Sequence, residues 1–161
     1  MRRTSIVLFA VMLLFCCISS SKSQSDNDKL KKKISDFYDV MNSQQYDKYS
    51  DYLTSDYMEY SPFPGQGPGL SGFIDAMKSF YVSFPDAKFT ITDMIISDDG
   101  TKACVLSIAT GTNKGDFMGM KATNKKIEVD GVDWLYFKDG KCSGHYGYMN
   151  SGKMMQQLGM Q

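Results

Sequence analysis

The sequence predicts an α+β fold: a cone-shaped barrel of helices packed on a strongly curved antiparallel sheet. Three observations carry this expectation. Before Pro85 the apolar residues recur at helical spacing. After Pro85 the chain reads as strand, punctuated by the turns Asp98, Asp99, Gly100 and Asp139, Gly140. The length of 161 residues suits one globular domain with a short appendage and leaves no room for a second.

Ser25 with Asp28 makes a capping-box-like start, and Leu30, Ile34, Phe37, Tyr38 and Met41 follow at the spacing of one helix face. Tyr46, Tyr49, Tyr52 and Leu53 predict a second, shorter helix, followed by a brief strand from Tyr57 to Tyr60. Pro62, Pro64, Gly65, Gly67, Pro68 and Gly69 then impose an irregular loop. It is not a phosphate loop, because no β-branched strand leads into it and no Lys-Ser or Lys-Thr pair ends it. Phe73, Ile74, Met77, Phe80, Tyr81 and Phe84 mark an amphipathic helix that Pro85 terminates.

Two hairpins are expected next. Lys88 to Ser97 pairs with Lys102 to Thr112, and Lys126 to Phe137 pairs with Cys142 to Met149. Between them, Asn113 to Lys125 is too long for a tight turn and carries Phe117, Met118 and Met120, which would stay wet unless they folded over something. A lid or rim is the expectation there. Met154, Met155 and Leu158 define a last short helix. Helices gathered on one concave face of a twisted sheet leave a cavity between the two layers.

Arg2 and Arg3 precede an unbroken apolar stretch from Ile6 to Ile18, and Ser19, Ser20, Ser21, Lys22 and Ser23 follow. This is the anatomy of a signal peptide over residues 1–23, with a domain over residues 24–161. As a helix the apolar stretch would span only about 20 Å, short of a bilayer core of roughly 30 Å. Ser21 and Ser23 set cleavage before Gln24, giving an exported soluble product. A lipid anchor near Cys17 is the alternative, although Phe15 fits a lipoprotein signal poorly.

Three of the 18 basic residues and none of the 18 acidic ones precede Gln24, so the remaining body carries a net charge of −3. That argues against nucleic acid as a partner. Arg2 and Arg3 are the only arginines, so the body has no guanidinium clamp for phosphates or carboxylates. With His145 as the single histidine, no metal site is expected, and no cofactor. Cys104 and Cys142 fall on strands with another between them, about 9.5 Å apart at the usual strand spacing. A disulfide needs Cα atoms within about 7 Å, so two free thiols are expected.

The candidate chemistry is His145 with Asp133. A two-residue loop at Asp139 and Gly140 would set His145 opposite Trp134, with Asp133 on the other face of the sheet. A three-residue bulged loop would set His145 opposite Asp133. The bulged form gives the cleaner partition, with Ile127, Val129, Gly131, Leu135 and Met149 sharing the face of both polar groups. An imidazole beside a carboxylate in a dry pocket can transfer protons. A structural ion pair is the competing reading. The pocket itself is expected from Phe73, Met77, Val129, Leu135 and Met149, with Glu59, Tyr60, Phe117 and Met118 at its mouth or rim. Trp134, Tyr136, Tyr146 and Tyr148 should project from the outer sheet face and require cover, from the last helix or a second subunit.

The run from Gly65 through Gly69, Phe73, Phe84, Pro85 and Asp86, then Gly111, Thr112, Gly115, Phe117, Met118 and Gly119, then Asp139, Gly140, Lys141 and His145, and the ending Gln157, Leu158, Gly159 resembles the SnoaL-like polyketide cyclases of the nuclear transport factor 2 superfamily. The resemblance implies a cone-shaped cavity for a flat, mostly apolar molecule, commonly in a homodimer. It also implies that Gly147 stands where the cyclases place an acid–base aspartate, that Asp133 stands where they place a histidine, and that Asn150 replaces an acidic residue. Their aldol cyclisation therefore does not carry over. Three readings follow: a protein binding a small apolar molecule, a cofactor-independent isomerase or cyclase using His145 and Asp133, or a non-catalytic interaction module.

Overall fold

The structure, a computed structural model, describes residues 24–159. The export segment expected over residues 1–23 lies outside them. Helix α1 covers residues 24–42 and buries Leu30, Ile34, Tyr38 and Met41, the face its spacing predicts. It is already helical at Gln24, so Ser25 lies within the helix and does not cap it. Asn42 fastens its end to the sheet: the side-chain amide donates to Phe89 O at 2.8 Å and the Phe89 N–H donates back to Asn42 Oδ1 at 2.8 Å.

A 3₁₀ turn, Tyr46–Lys48, leads into the short α2, Tyr49–Tyr52. Leu53 belongs to the following strand, β1 (Leu53–Glu59), and not to the helix. Helix α3 (Gly69–Ser83) begins after the Pro-Gly loop and ends at Phe84, one residue before Pro85. Phe84 is fully buried, which contributes about 1.5–3 kcal/mol in hydrophobic burial.

Strands β2 (Lys88–Ile96), β3 (Lys102–Thr112), β4 (Lys126–Lys138) and β5 (Lys141–Met149) follow the expected meander. The sheet order is β1-β5-β4-β3-β2, antiparallel except that β1 runs parallel to β5. Val105 and Val129, both fully buried, lie on the same face of the sheet. Helix α4 (Ser151–Leu158) is capped by Asn150, whose side chain accepts from Lys153 N at 3.1 Å, and ends at Gly159 in the left-handed region at φ 73°. Cys104 on β3 and Cys142 on β5 are separated by β4, and both are free thiols.

The β4–β5 hairpin differs from both registers weighed above. Its loop has two residues, Asp139 and Gly140, at φ 51° and 71°, and Lys138 faces Lys141. This is the positive-φ turn that Asp-Gly favours. The bulge sits inside β5 instead: Phe137 pairs with Cys142 but Tyr136 pairs with Gly144, leaving Ser143 without a partner in the ladder. Beyond the bulge His145 faces Leu135, and Asp133 faces Gly147. A tight turn therefore does not separate His145 from Asp133, because the bulge restores the shared face that the turn alone would have removed.

Candidate functional site

A cavity of about 200 Å³ opens between the concave face of the sheet and helices α1 and α3. Phe73, Met77, Val129, Leu135 and Met149 all border it, as helical stripe and strand parity predict. Phe37 and Tyr38 of α1, absent from the sequence expectation, border it too.

Three of the predicted residues lie elsewhere. Tyr60 follows Glu59 on an extended chain, so its side chain points to the opposite face, where its ring stacks on Tyr146 at 4.6 Å. Phe117 packs edge-on against Phe84 at 5.1 Å, and Met118 is exposed at φ 49°. Their segment is tied to the end of α3: Lys114 N donates to Ser83 O at 2.8 Å, and Ser83 Oγ donates to Asp116 O at 2.6 Å. It braces that helix and does not cover the cavity.

Along one wall of the cavity runs a chain of three ionisable groups. β1 pairs Glu59 directly with His145, and Glu59 Oε2 lies 2.7 Å from His145 Nδ1. The other ring nitrogen, Nε2, lies 2.9 Å from Asp133 Oδ1 on β4. Ionised carboxylates only accept hydrogen bonds, so an imidazole between two of them must carry protons on both nitrogens. Burial alone would push the His145 pKa down, but the hydrogen bonds and charges of Asp133 and Glu59 outweigh it and raise it to about 9. Burial likewise opposes ionisation of Glu59, and its bonds to His145 and Tyr57 reverse the effect, holding its pKa below the ordinary value.

The ends of the chain are also tied down. Tyr57 donates to Glu59 Oε2 at 2.8 Å and Ser61 N donates to Oε1 at 3.2 Å. Tyr38 donates to Asp133 Oδ2 at 2.5 Å, and Ser107 Oγ lies 3.3 Å from the same oxygen. Burial and the Asp133 charge push the Tyr38 pKa far up, so it stays a neutral donor. Sequence reasoning put Glu59, His145 and Asp133 at the site but not Tyr38, Tyr57, Ser61 or Ser107. Only the fold brings these together.

Among the described residues no group of three His, Cys, Asp or Glu is placed to hold a metal ion. In the chain itself, the two carboxylates bind opposite edges of one ring and do not converge. The arrangement is a cation held between two anions, beside an apolar cavity.

The fold recurs in solved structures. TsrD from Streptomyces laurentii superposes with a TM-score of 0.73 at 21% identity, over 81% of this chain and 95% of that one. IdmH from Streptomyces antibioticus gives 0.71 at 21% identity, over 81% and 98% of the two chains. A SnoaL-like polyketide cyclase from Agrobacterium tumefaciens gives 0.68 at 18% identity, over 80% and 97%. A search of curated proteins finds no match. The sequence profile of the SnoaL-like polyketide cyclases matches residues 32–158, which takes in every strand, α2 and α3, all but the start of α1, and the three-residue chain at the cavity. With that match and the shared cone fold, the chain belongs to the SnoaL-like polyketide cyclase family.

Proposed function

We propose that this protein is exported and, as a homodimer, binds a small, mostly apolar molecule in its cone. The observation that carries the reading is the cavity itself, whose wall of Phe73, Met77, Val129, Leu135 and Met149 is left open where a purely structural core would be filled. Export rests on the sequence of residues 1–23, and dimerisation on the exposed aromatics of the outer sheet face. No cofactor enters the reading. Native mass spectrometry of the protein purified without denaturation tests it. A bound small molecule released on unfolding is the expected result. A ligand-free mass in every preparation, together with no uptake of an apolar probe such as naphthalene, would overturn it.

A second reading, an isomerase or cyclase acting at a carbon next to a carbonyl, is favoured by the Asp133 carboxylate beside an apolar cavity. His145 has no free nitrogen with which to take a proton from a ligand, so Asp133 would be the base and His145 its positioning cation. Under this reading His145→Ala and Asp133→Asn abolish turnover while ligand affinity stays within a few-fold. Equal losses of both would mark a structural pair.

A further inference from the structure

A count of hydrogen-bond valences along the Glu59–His145–Asp133 chain shows what a ligand must bring. Both nitrogens of His145 are taken. Glu59 has four donors around its two oxygens: His145 Nδ1 and the Tyr57 hydroxyl at Oε2, Ser61 N and Ser61 Oγ at Oε1. The Ser61 proton can turn to Gly147 O at 3.0 Å instead, but the Glu59 side chain is only 7% exposed and offers a ligand no approach. Asp133 is different. Its Oδ2 receives Tyr38 and Ser107, while among the described residues Oδ1 receives His145 alone. A carboxylate has about four acceptor positions, so one remains on Oδ1. The Asp133 side chain is also the most accessible of the three, at 25%.

Glycine at position 147 adds no side chain beside that oxygen. A Cβ on Gly147 would stand 3.6 Å from Asp133 Oδ1, so a side chain there would occupy the approach to it. Gly147, Asp133 and His145 all border the cavity.

Charge points the same way. Two carboxylates and one imidazolium leave the chain with a net charge of −1. Lys33 on α1, partly buried, is the other charged group bordering the cavity among the described residues. At Oδ1 an anionic ligand would meet the Asp133 carboxylate at contact distance in an apolar surrounding, where repulsion between like charges is strongest.

Resting on the cavity-binding reading above, we propose that the ligand is a flat apolar molecule anchored by a hydrogen-bond donor, a hydroxyl or amine, on Asp133 Oδ1, and that carboxylates are rejected. The site thereby selects among ligands of one shape by the chemistry of a single substituent.

Fluorescence titrations of the protein from Gln24 onward with four probes of one bicyclic frame test this: naphthalene, 2-naphthol, 2-naphthylmethylamine and 2-naphthoate. At neutral pH the naphthol and the amine should bind roughly tenfold or more tightly than naphthalene, and naphthoate more weakly than naphthalene. In Asp133→Asn, which keeps the shape and an oxygen for His145, the spread between amine and naphthoate should collapse to a few-fold. Naphthoate binding as tightly as naphthol, or a spread unchanged in Asp133→Asn, overturns the inference and leaves the cavity reading standing. Failure of all four probes, naphthalene included, overturns both.

Discussion

The ring of His145 occupies the space that a side chain on Gly147 would need: a Cβ there would fall 2.7 Å from His145 Cε1 and 3.1 Å from Nε2. The two residues share one face of β5, and the missing Cβ lets the imidazole lean across toward Asp133, which pairs with Gly147 in the neighbouring strand. The family resemblance sets an aspartate at this position. In this chain the same volume is used to seat a cation between two carboxylates, so the negative group facing the cavity is Asp133 and not a residue at 147.

Gly147→Ala should therefore displace the His145 ring and break its bond to Asp133. A partly buried carboxylate losing a charged partner costs about 1–3 kcal/mol, visible as a lower urea midpoint. The His145 pKa should fall with it, toward the ordinary 6.5. Unchanged stability and titration would mean that the ring does not depend on the absence of a side chain at 147.

Stability should fall with rising pH through one identified group. The folded-state pKa of His145 is raised from 6.5 to about 9, so its contribution is complete below pH 6.5 and is lost as pH rises through about 9. At about 1.4 kcal/mol per pH unit, the contribution is on the order of 3 kcal/mol. Glu59 acts with the opposite sign, since its lowered pKa stabilises the fold above its ordinary 4.5 and is lost as pH falls. Urea unfolding at a series of pH values, compared with His145→Gln, isolates the first effect. The wild type should lose stability between about pH 7 and 9.5 and the variant should not.

Dimerisation through the outer sheet face predicts a monomer on replacing Trp134 with Lys. Trp134 is 40% and Tyr148 62% exposed on a surface where the rings of Tyr146 and Tyr148 lie parallel at 6.4 Å and Tyr60 stacks on Tyr146. Sedimentation velocity should show a dimer for the wild type and a monomer for Trp134→Lys. A monomeric wild type would remove the dimer from the account.

What the sequence reveals here follows from how local each signal is. Strand parity puts Val129, Leu135 and Met149 on the cavity face because alternation is a property of each strand alone. Asp133 and His145 share that face in the bulged-loop register and in the observed one, since a bulge displaces parity by one residue whether it sits at the turn or at Ser143. Where the bulge sits is not singled out: Gly144 inside the strand is a bulge signal, but Gly147 offers the same one three residues on, and only the fold shows that Gly144 accommodates the ring of Tyr60, just beyond β1. The parallel pairing of β1 with β5, which brings Glu59 to an imidazole 86 residues away, leaves no periodic trace. Tyr38 and Ser107 reach Asp133 for the same nonlocal reason.

The measurement closest to the central claim is a nitrogen NMR titration of His145, which needs no assignment because the chain has a single histidine. Held between Glu59 and Asp133, the ring should carry protons on both nitrogens at neutral pH and titrate near 9, and Asp133→Asn should bring that value down. A wild-type ring that titrates near 6.5, or one whose titration is unmoved by Asp133→Asn, would contradict the clamped cation on which the cavity chemistry rests.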